Sequence, residues 1–134
     1  MTEYKCIGDF NQGMAGHEEG YYSERLAFLD FRGTMRISQL SYFGLCVKIL
    51  TTSHSIETGE FAGPMIDKPV IVDHHAWVTS FCILHNCHIK HHAIVSVGSV
   101  VRSMTVEPYT IVAGNPAKVI SEWDGFRWTK REER

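Results

Sequence analysis

The sequence has no apolar run near the ~20 residues that a membrane-crossing helix needs, so nothing in it reads as a membrane span. It also has little net charge, −2 over 134 residues. That gives no electrostatic case for nucleic acid or an anionic bilayer as partner. Cysteine is sparse: Cys6, Cys46, Cys82 and Cys87 are irregularly spaced and lack a C-x-x-C pair. The polar opening Met1-Thr2-Glu3-Tyr4-Lys5 does not read as a secretory leader. The expectation is therefore a cytoplasmic chain with reduced thiols rather than a disulfide framework.

What is present points to one domain with one core. Hydrophobic residues make up 44% and charged residues 21%, too apolar for disorder. Histidine is the unusual component. Of eight, only His17 and His54 lie outside the short stretch that holds His74, His75, His85, His88, His91 and His92.

Large aliphatic residues recur on a period of six. From Val72 the series runs Val78, Ile83, Ile89, Val95 and Val101, and an earlier one runs Ile37, Phe43, Ile49. All steps are six except Val78 to Ile83, which is five and predicts a tightened corner near Phe81-Cys82. Four residues after these anchors stand Ser41, Val47, Ala76, Cys82, Cys87, Ala93 and Ser99, all small or modest in size. Neither a helix (period 3.6) nor an alternating strand (period 2) produces such a pattern. A β-solenoid of triangular section does: each hexad makes one short strand and one corner, and three hexads complete a coil. The corners fall two and three residues after each anchor, at His74-His75, His85-Asn86, His91-His92 and Val97-Gly98. Stacked coils then put His74-His75 over His91-His92, where four imidazoles could bind a transition metal, respond to pH, or simply be exposed polar corners.

Specific runs carry a family resemblance. They are Lys68-Pro69-Val70-Ile71-Val72, Ala76-Trp77-Val78, Val95-Ser96-Val97-Gly98-Ser99-Val100-Val101 and the closing Pro108-Tyr109-Thr110-Ile111-Val112-Ala113-Gly114-Asn115-Pro116-Ala117-Lys118-Val119-Ile120. Together they resemble the hexapeptide-repeat acetyltransferases, which include sugar, serine, maltose and xenobiotic O-acetyltransferases. The resemblance spans residues 31–120. It implies an all-β fold, a left-handed parallel β-helix, within a single domain over residues 1–134. Residues 51–68 interrupt the period and are expected to project as a loop. Residues 121–134 form a short tail, and residues 1–30 lack the period, with residues 21–29 open to a short helix or an irregular first coil.

The resemblance also implies a site. His54, where the repeat gives way to the loop, takes the place of the family's general base. An imidazole there would remove the proton of an acceptor hydroxyl as it attacks the thioester of acetyl-CoA; read alone, it could equally cap a turn. Trp77 matches a family tryptophan beside the acyl-transfer site, or is a surface aromatic. Ser80, Val97, Gly98 and Ser99 match positions along the pantetheine arm. Arg102 and Lys118 match cations near the CoA phosphates, and each could be an ordinary exposed cation. On the acceptor side, Asp30 and Glu57 are the substrate-binding candidates, with Glu24 and Glu60 as further acids.

Three departures from the pattern stand out. Val97 replaces a smaller residue, the link Arg102–Glu107 is one residue longer than usual, and Lys90, Leu84 and Asp73 stand where small residues are common. The expected assembly is a homotrimer with its sites between protomers, using acetyl-CoA as donor and requiring no metal. A sugar or polysaccharide hydroxyl is the first acceptor class, and a chloramphenicol-like alcohol the second. Two other readings stay open: a zinc lyase resembling the γ-class carbonic anhydrases, which would draw on His54 with two of His85, His88, His91 and His92, and a catalytically inactive trimer that binds a ligand.

Overall fold

The computed structural model describes residues 21–22, 27–59 and 63–131, which contain strands, turns and bends and no helix. The strands of the first half are β1 (Tyr21–Tyr22), β2 (Phe28–Asp30), β3 (Met35–Ile37), β4 (Tyr42–Phe43), β5 (Lys48–Leu50), β6 (Thr52–His54) and β7 (Met65–Asp67). Those of the second half are β8 (Val70–Val72), β9 (Trp77–Val78), β10 (Ile83–Ile89), β11 (Ile94–Val95), β12 (Val100–Val106), β13 (Thr110–Ala113), β14 (Lys118–Trp123) and β15 (Trp128–Lys130).

The repeats build three parallel ladders that the chain visits in turn. The first wall sets Ile37, Val72, Ile89 and Val106 in register through β3, β8 and the second halves of β10 and β12. The second sets Phe43, Val78, Val95 and Val112 in register through β4, β9, β11 and β13. The third aligns Leu29, Ile49, Leu84 and Val101 through β2, β5 and the first halves of β10 and β12. Nearly all these side chains are fully buried and form one continuous core. Each inward aliphatic removed from water stabilises the fold by about 1.5–3 kcal/mol.

One expectation is corrected. The third-wall anchor is Leu84, which is fully buried, whereas Ile83 is exposed. The step from Val78 is therefore six, and the five-residue step lies between Leu84 and Ile89. It recurs between Val101 and Val106, so a coil is 17 residues long, as the pairings Leu84↔Val101 and Ile89↔Val106 require. Two adjacent residues of similar size, Ile83 and Leu84, made the phase ambiguous in the sequence. Only the ladder decides which one points inward. Leu84 is consequently an anchor and not a large residue in a small residue's place.

Corners explain the rest of the period. The third residue after an inward anchor adopts a positive φ: Cys46 (59°), His75 (59°), Phe81 (64°), His92 (60°) and Tyr109 (57°). At the five-residue corners the second residue does so, Asn86 (50°) and Ser103 (52°). The tightened corner thus lies at His85-Asn86, and Phe81 belongs to an ordinary one. A left-handed residue reverses the chain sharply, and the residue after it turns inward with little room. Hence Val47, Ala76, Cys82, Ala93 and Ser99 follow, every one fully buried. Burial pushes the Cys87 thiol up to about 12 and also raises that of Cys82; neither is a ready nucleophile at neutral pH.

The ends of the ladders are closed by antiparallel strands. β1 pairs with β2, so of residues 21–29 the described ones are strand except Ala27, none is helix, and residues 23–26 lie outside the described residues. β14 pairs with β13, and β15 with β14, folding the tail back as a hairpin beside the second wall. Such pairings shield edges that would otherwise template association. Residues 51–68 leave the third wall as a second hairpin, with β6 antiparallel to β7 in the register His54↔Met65.

Candidate functional site

The base of the β6–β7 hairpin is tied to the first coil by backbone-directed bonds. The buried Thr51 hydroxyl donates to the Asp30 carbonyl at 2.8 Å and accepts from the Gly33 amide at 3.0 Å. A Cβ at Gly33 would run into the Thr51 carbonyl, so only glycine permits this crossing. Asp67 closes the hairpin by accepting from the Thr34 amide at 2.7 Å and the Thr34 hydroxyl at 2.5 Å.

Asp30 lies beneath. Its carboxylate, with a side chain 1% exposed, accepts from Arg32 Nε at 2.8 Å and Nη2 at 3.1 Å, and from the Thr52 hydroxyl at 3.0 Å. Burial alone would raise its pKa, but the hydrogen bonds from Arg32 and Thr52 and the guanidinium charge hold it below the ordinary carboxylate range. The expectation that Asp30 contacts an acceptor directly therefore needs correcting. Its oxygens are enclosed and already bonded, and the half-exposed Arg32 side chain reaches the surface instead. Arg32, Thr34, Thr52, Met65 and Asp67 line a polar depression of about 400 Å3. Sequence reading missed these five, although the Asp30–Arg32 spacing hints at a paired carboxylate and guanidinium.

His54 stands exposed on β6, opposite Met65. Its Nδ1 is 2.8 Å from the Gly63 carbonyl. A carbonyl only accepts, so Nδ1 carries the hydrogen and Nε2 carries the lone pair. Glu57 is exposed at the hairpin turn, while Glu24 and Glu60 lie outside the described residues.

The remaining sequence candidates are spread over other faces. Ser80, Val97 and Gly98 share the corner after the second wall, where the Gly98 amide donates to the Ser80 carbonyl at 3.0 Å. Val97 points outward, 67% exposed. Ser99 is fully buried at that corner, its hydroxyl donating to Ser96 O and accepting from the Gly114 amide. Its side chain is thus committed to the corner and is not presented to a ligand. Arg102 pairs in register with His85 on the third wall and is exposed, and Lys118 is exposed on β14.

Trp77 lines a different cavity, of about 530 Å3. One side is the second wall, with Tyr42, Trp77 and Ile94; another is the corner that carries His75, His92 and Tyr109; the C-terminal hairpin adds Trp123 and Trp128. This cavity shares no lining residue with the polar depression, and His54 lines neither of the two, so no one pocket holds both His54 and Trp77. At the histidine corner the stacking expected from the repeat is present: His74 lies parallel to His91 with ring centroids 5.2 Å apart, and His75 to His92 at 5.0 Å.

Solved structures similar to this chain share its repeat architecture. A maltose O-acetyltransferase from Clostridium difficile 630 is 26% identical, with a TM-score of 0.60 over 66% of this chain and 48% of that one. A hexapeptide-repeat-containing acetyltransferase from Vibrio cholerae is 26% identical over 66% of this chain and 51% of its own, with a TM-score of 0.60. The Vibrio cholerae O1 biovar eltor protein complexed with acetyl-CoA gives 25% identity, coverage of 66% and 49%, and a TM-score of 0.57. The chain spans about half the length of these three proteins. A galactoside acetyltransferase in complex with coenzyme A is 14% identical over 98% of this chain and 87% of its own, a likeness of fold alone. No protein-family model and no curated protein matches the chain. The resemblance to the hexapeptide-repeat acetyltransferases thus extends from sequence motifs to three-dimensional structure.

Proposed function

We propose that this chain is an acyl-CoA-dependent O-acetyltransferase, a single left-handed β-helix domain acting as a homotrimer in the cytoplasm, with His54 as general base. The observation that carries this reading is the 2.8 Å contact between His54 Nδ1 and the Gly63 carbonyl. It fixes the tautomer, so Nε2 is the acceptor nitrogen on an exposed ring, paired across the hairpin with Met65, which lines the polar depression. In the proposed reaction Nε2 takes the proton of an acceptor hydroxyl. The oxygen attacks the acetyl thioester, the carbon–sulfur bond breaks, and the CoA thiolate takes the proton back from the imidazolium.

Arg32, Thr34 and Asp67 face the depression with donors and acceptors suited to the hydroxyls of a sugar or polysaccharide precursor, the acceptor class suggested by the maltose O-acetyltransferase neighbour. The CoA arm would follow the corner of Ser80, Val97 and Gly98, with Arg102 and Lys118 toward its phosphates. Trp77 is on the second wall and His54 on the hairpin that leaves the third, with no pocket in common, so the part proposed for Trp77 beside the thioester would come from a neighbouring protomer. That relationship is the reason to expect a trimer.

The test is release of free CoA thiol from acetyl-CoA in the presence of mono- and disaccharides. His54→Ala is expected to lower the rate by about 10²–10⁴-fold with an unchanged melting curve. A variant as fast as the parent removes His54 from the mechanism. A parent that releases no thiol with any sugar, while sedimenting as a monomer, removes the transferase reading itself.

A further inference from the structure

The histidine corner holds two rungs one above the other. In the upper rung His74 Nδ1 lies 2.9 Å from His75 Nδ1, with the rings at 87°. In the lower, His91 Nδ1 lies 3.0 Å from His92 Nδ1, with the rings at 90°. Each short contact is one hydrogen shared between two nitrogens, so in each rung one Nδ1 donates and the other offers its lone pair. Acyl transfer by His54 makes no use of this corner, which borders a different wall.

An ion that displaces the shared hydrogen of a rung finds two imidazole nitrogens already within 3.0 Å of one another. For ligands of this kind affinity among first-row divalent ions peaks at Cu(II), and imidazole suits that ion. We propose that the His74–His75 and His91–His92 rungs form an exchangeable site for a divalent transition metal, with Cu(II) as the preferred ion. Binding displaces the one shared hydrogen of each rung, which the donor ring then carries on Nε2 as its partner already does, so both rings stay neutral and both Nδ1 lone pairs turn to the ion. Among the described residues no three His, Cys, Asp or Glu side chains enclose a single point. Each rung therefore supplies two nitrogens and water fills the other positions, which makes the site exchangeable rather than permanent.

The molecule carries its own reporter. Its three tryptophans, Trp77, Trp123 and Trp128, all line the cavity that His75 and His92 border. Cu(II) at the corner should quench their fluorescence saturably, and electron paramagnetic resonance of the untagged protein should show nitrogen hyperfine structure. His75→Asn with His92→Asn keeps the left-handed corners that asparagine tolerates, and His74→Gln with His91→Gln leaves those corners untouched. Either pair is expected to weaken Cu(II) binding by about tenfold or more, with circular dichroism unchanged. His54→Ala and His85→Asn should leave binding as in the parent. The proposal is overturned if Cu(II) gives no nitrogen couplings, if both double variants bind like the parent, or if the His54 or His85 variant abolishes binding.

Discussion

From Val70 to Ala113 the chain repeats with a fidelity that residues 27–69 do not share. In the later region each inward residue sits directly over the one 17 positions earlier, and the corners repeat the same left-handed turn. In the earlier region the third wall is followed not by a corner but by the β6–β7 hairpin, and the gap is bridged by side chains: Thr51, Thr34, Asp67, and the Asp30–Arg32 pair. Repetition supplies a rigid frame from backbone bonds and identical packing. The interruption must be held by specific polar contacts, and those contacts place His54 and a polar depression at the surface. Both regions feed the same core, Leu29, Met35, Ile37 and Ile49 from the earlier one included, but only the earlier one also depends on particular polar side chains near its surface.

The sharpest way to break this contrast is in the core. Leu84→Ala is expected to cost about 2–5 kcal/mol, read from urea denaturation, while the adjacent Ile83→Ala costs under about 1 kcal/mol. Equal costs would return the five-residue step to the place the sequence suggested. Next comes the polar bridge. Asp30→Asn is expected to destabilise by about 1–3 kcal/mol at neutral pH, because it weakens a buried, charge-assisted pair. The folded-state pKa of Asp30 lies below its ordinary 3.8. Its contribution is therefore present above that value and is lost as the pH falls through the lower, folded-state value. The gap between parent and variant should stay constant from neutral to mildly acidic pH and then close. A gap that widens in acid would contradict the pairing. The smallest effect is at a corner. Phe81 is exposed and holds φ at 64°, so Phe81→Gly should raise stability by up to about 1 kcal/mol. A clear loss would mean that the ring makes a contact that compensates for the strained turn.

Much of the prism is legible in the sequence, because a solenoid writes the same constraint into every coil. Val72, Val78, Ile89, Val95 and Val101 announce the walls. The small residues that follow each corner, such as Ala76 and Ala93, announce the turns. The stacking of His74 on His91 follows from the same arithmetic. Ile83 and Leu84 could not be told apart, since two neighbouring aliphatics satisfy a six-residue count equally well and only hydrogen-bond register separates them. The site was less legible. Asp30 looks available as a lone acid in a sequence, and its enclosure depends on Arg32 and on Thr52, a residue 22 positions away. His54 could be singled out, but the carbonyl that orients it belongs to Gly63, across the hairpin, and no local pattern connects the two.

The five-residue corner has a consequence for how the molecule would come apart. Because β10 and β12 pass round it without a break, the first and third walls belong to one hydrogen-bonded sheet, while the second wall and the C-terminal hairpin form another. Two sides of the triangle are thus seamed and the third is hinged at both edges. Slow amide exchange should be shared by Leu84, Ile89, Val101 and Val106 as one cooperative block, with the Val78, Val95 and Val112 ladder able to open as a separate unit. A threefold cross-section does not make three equal sides.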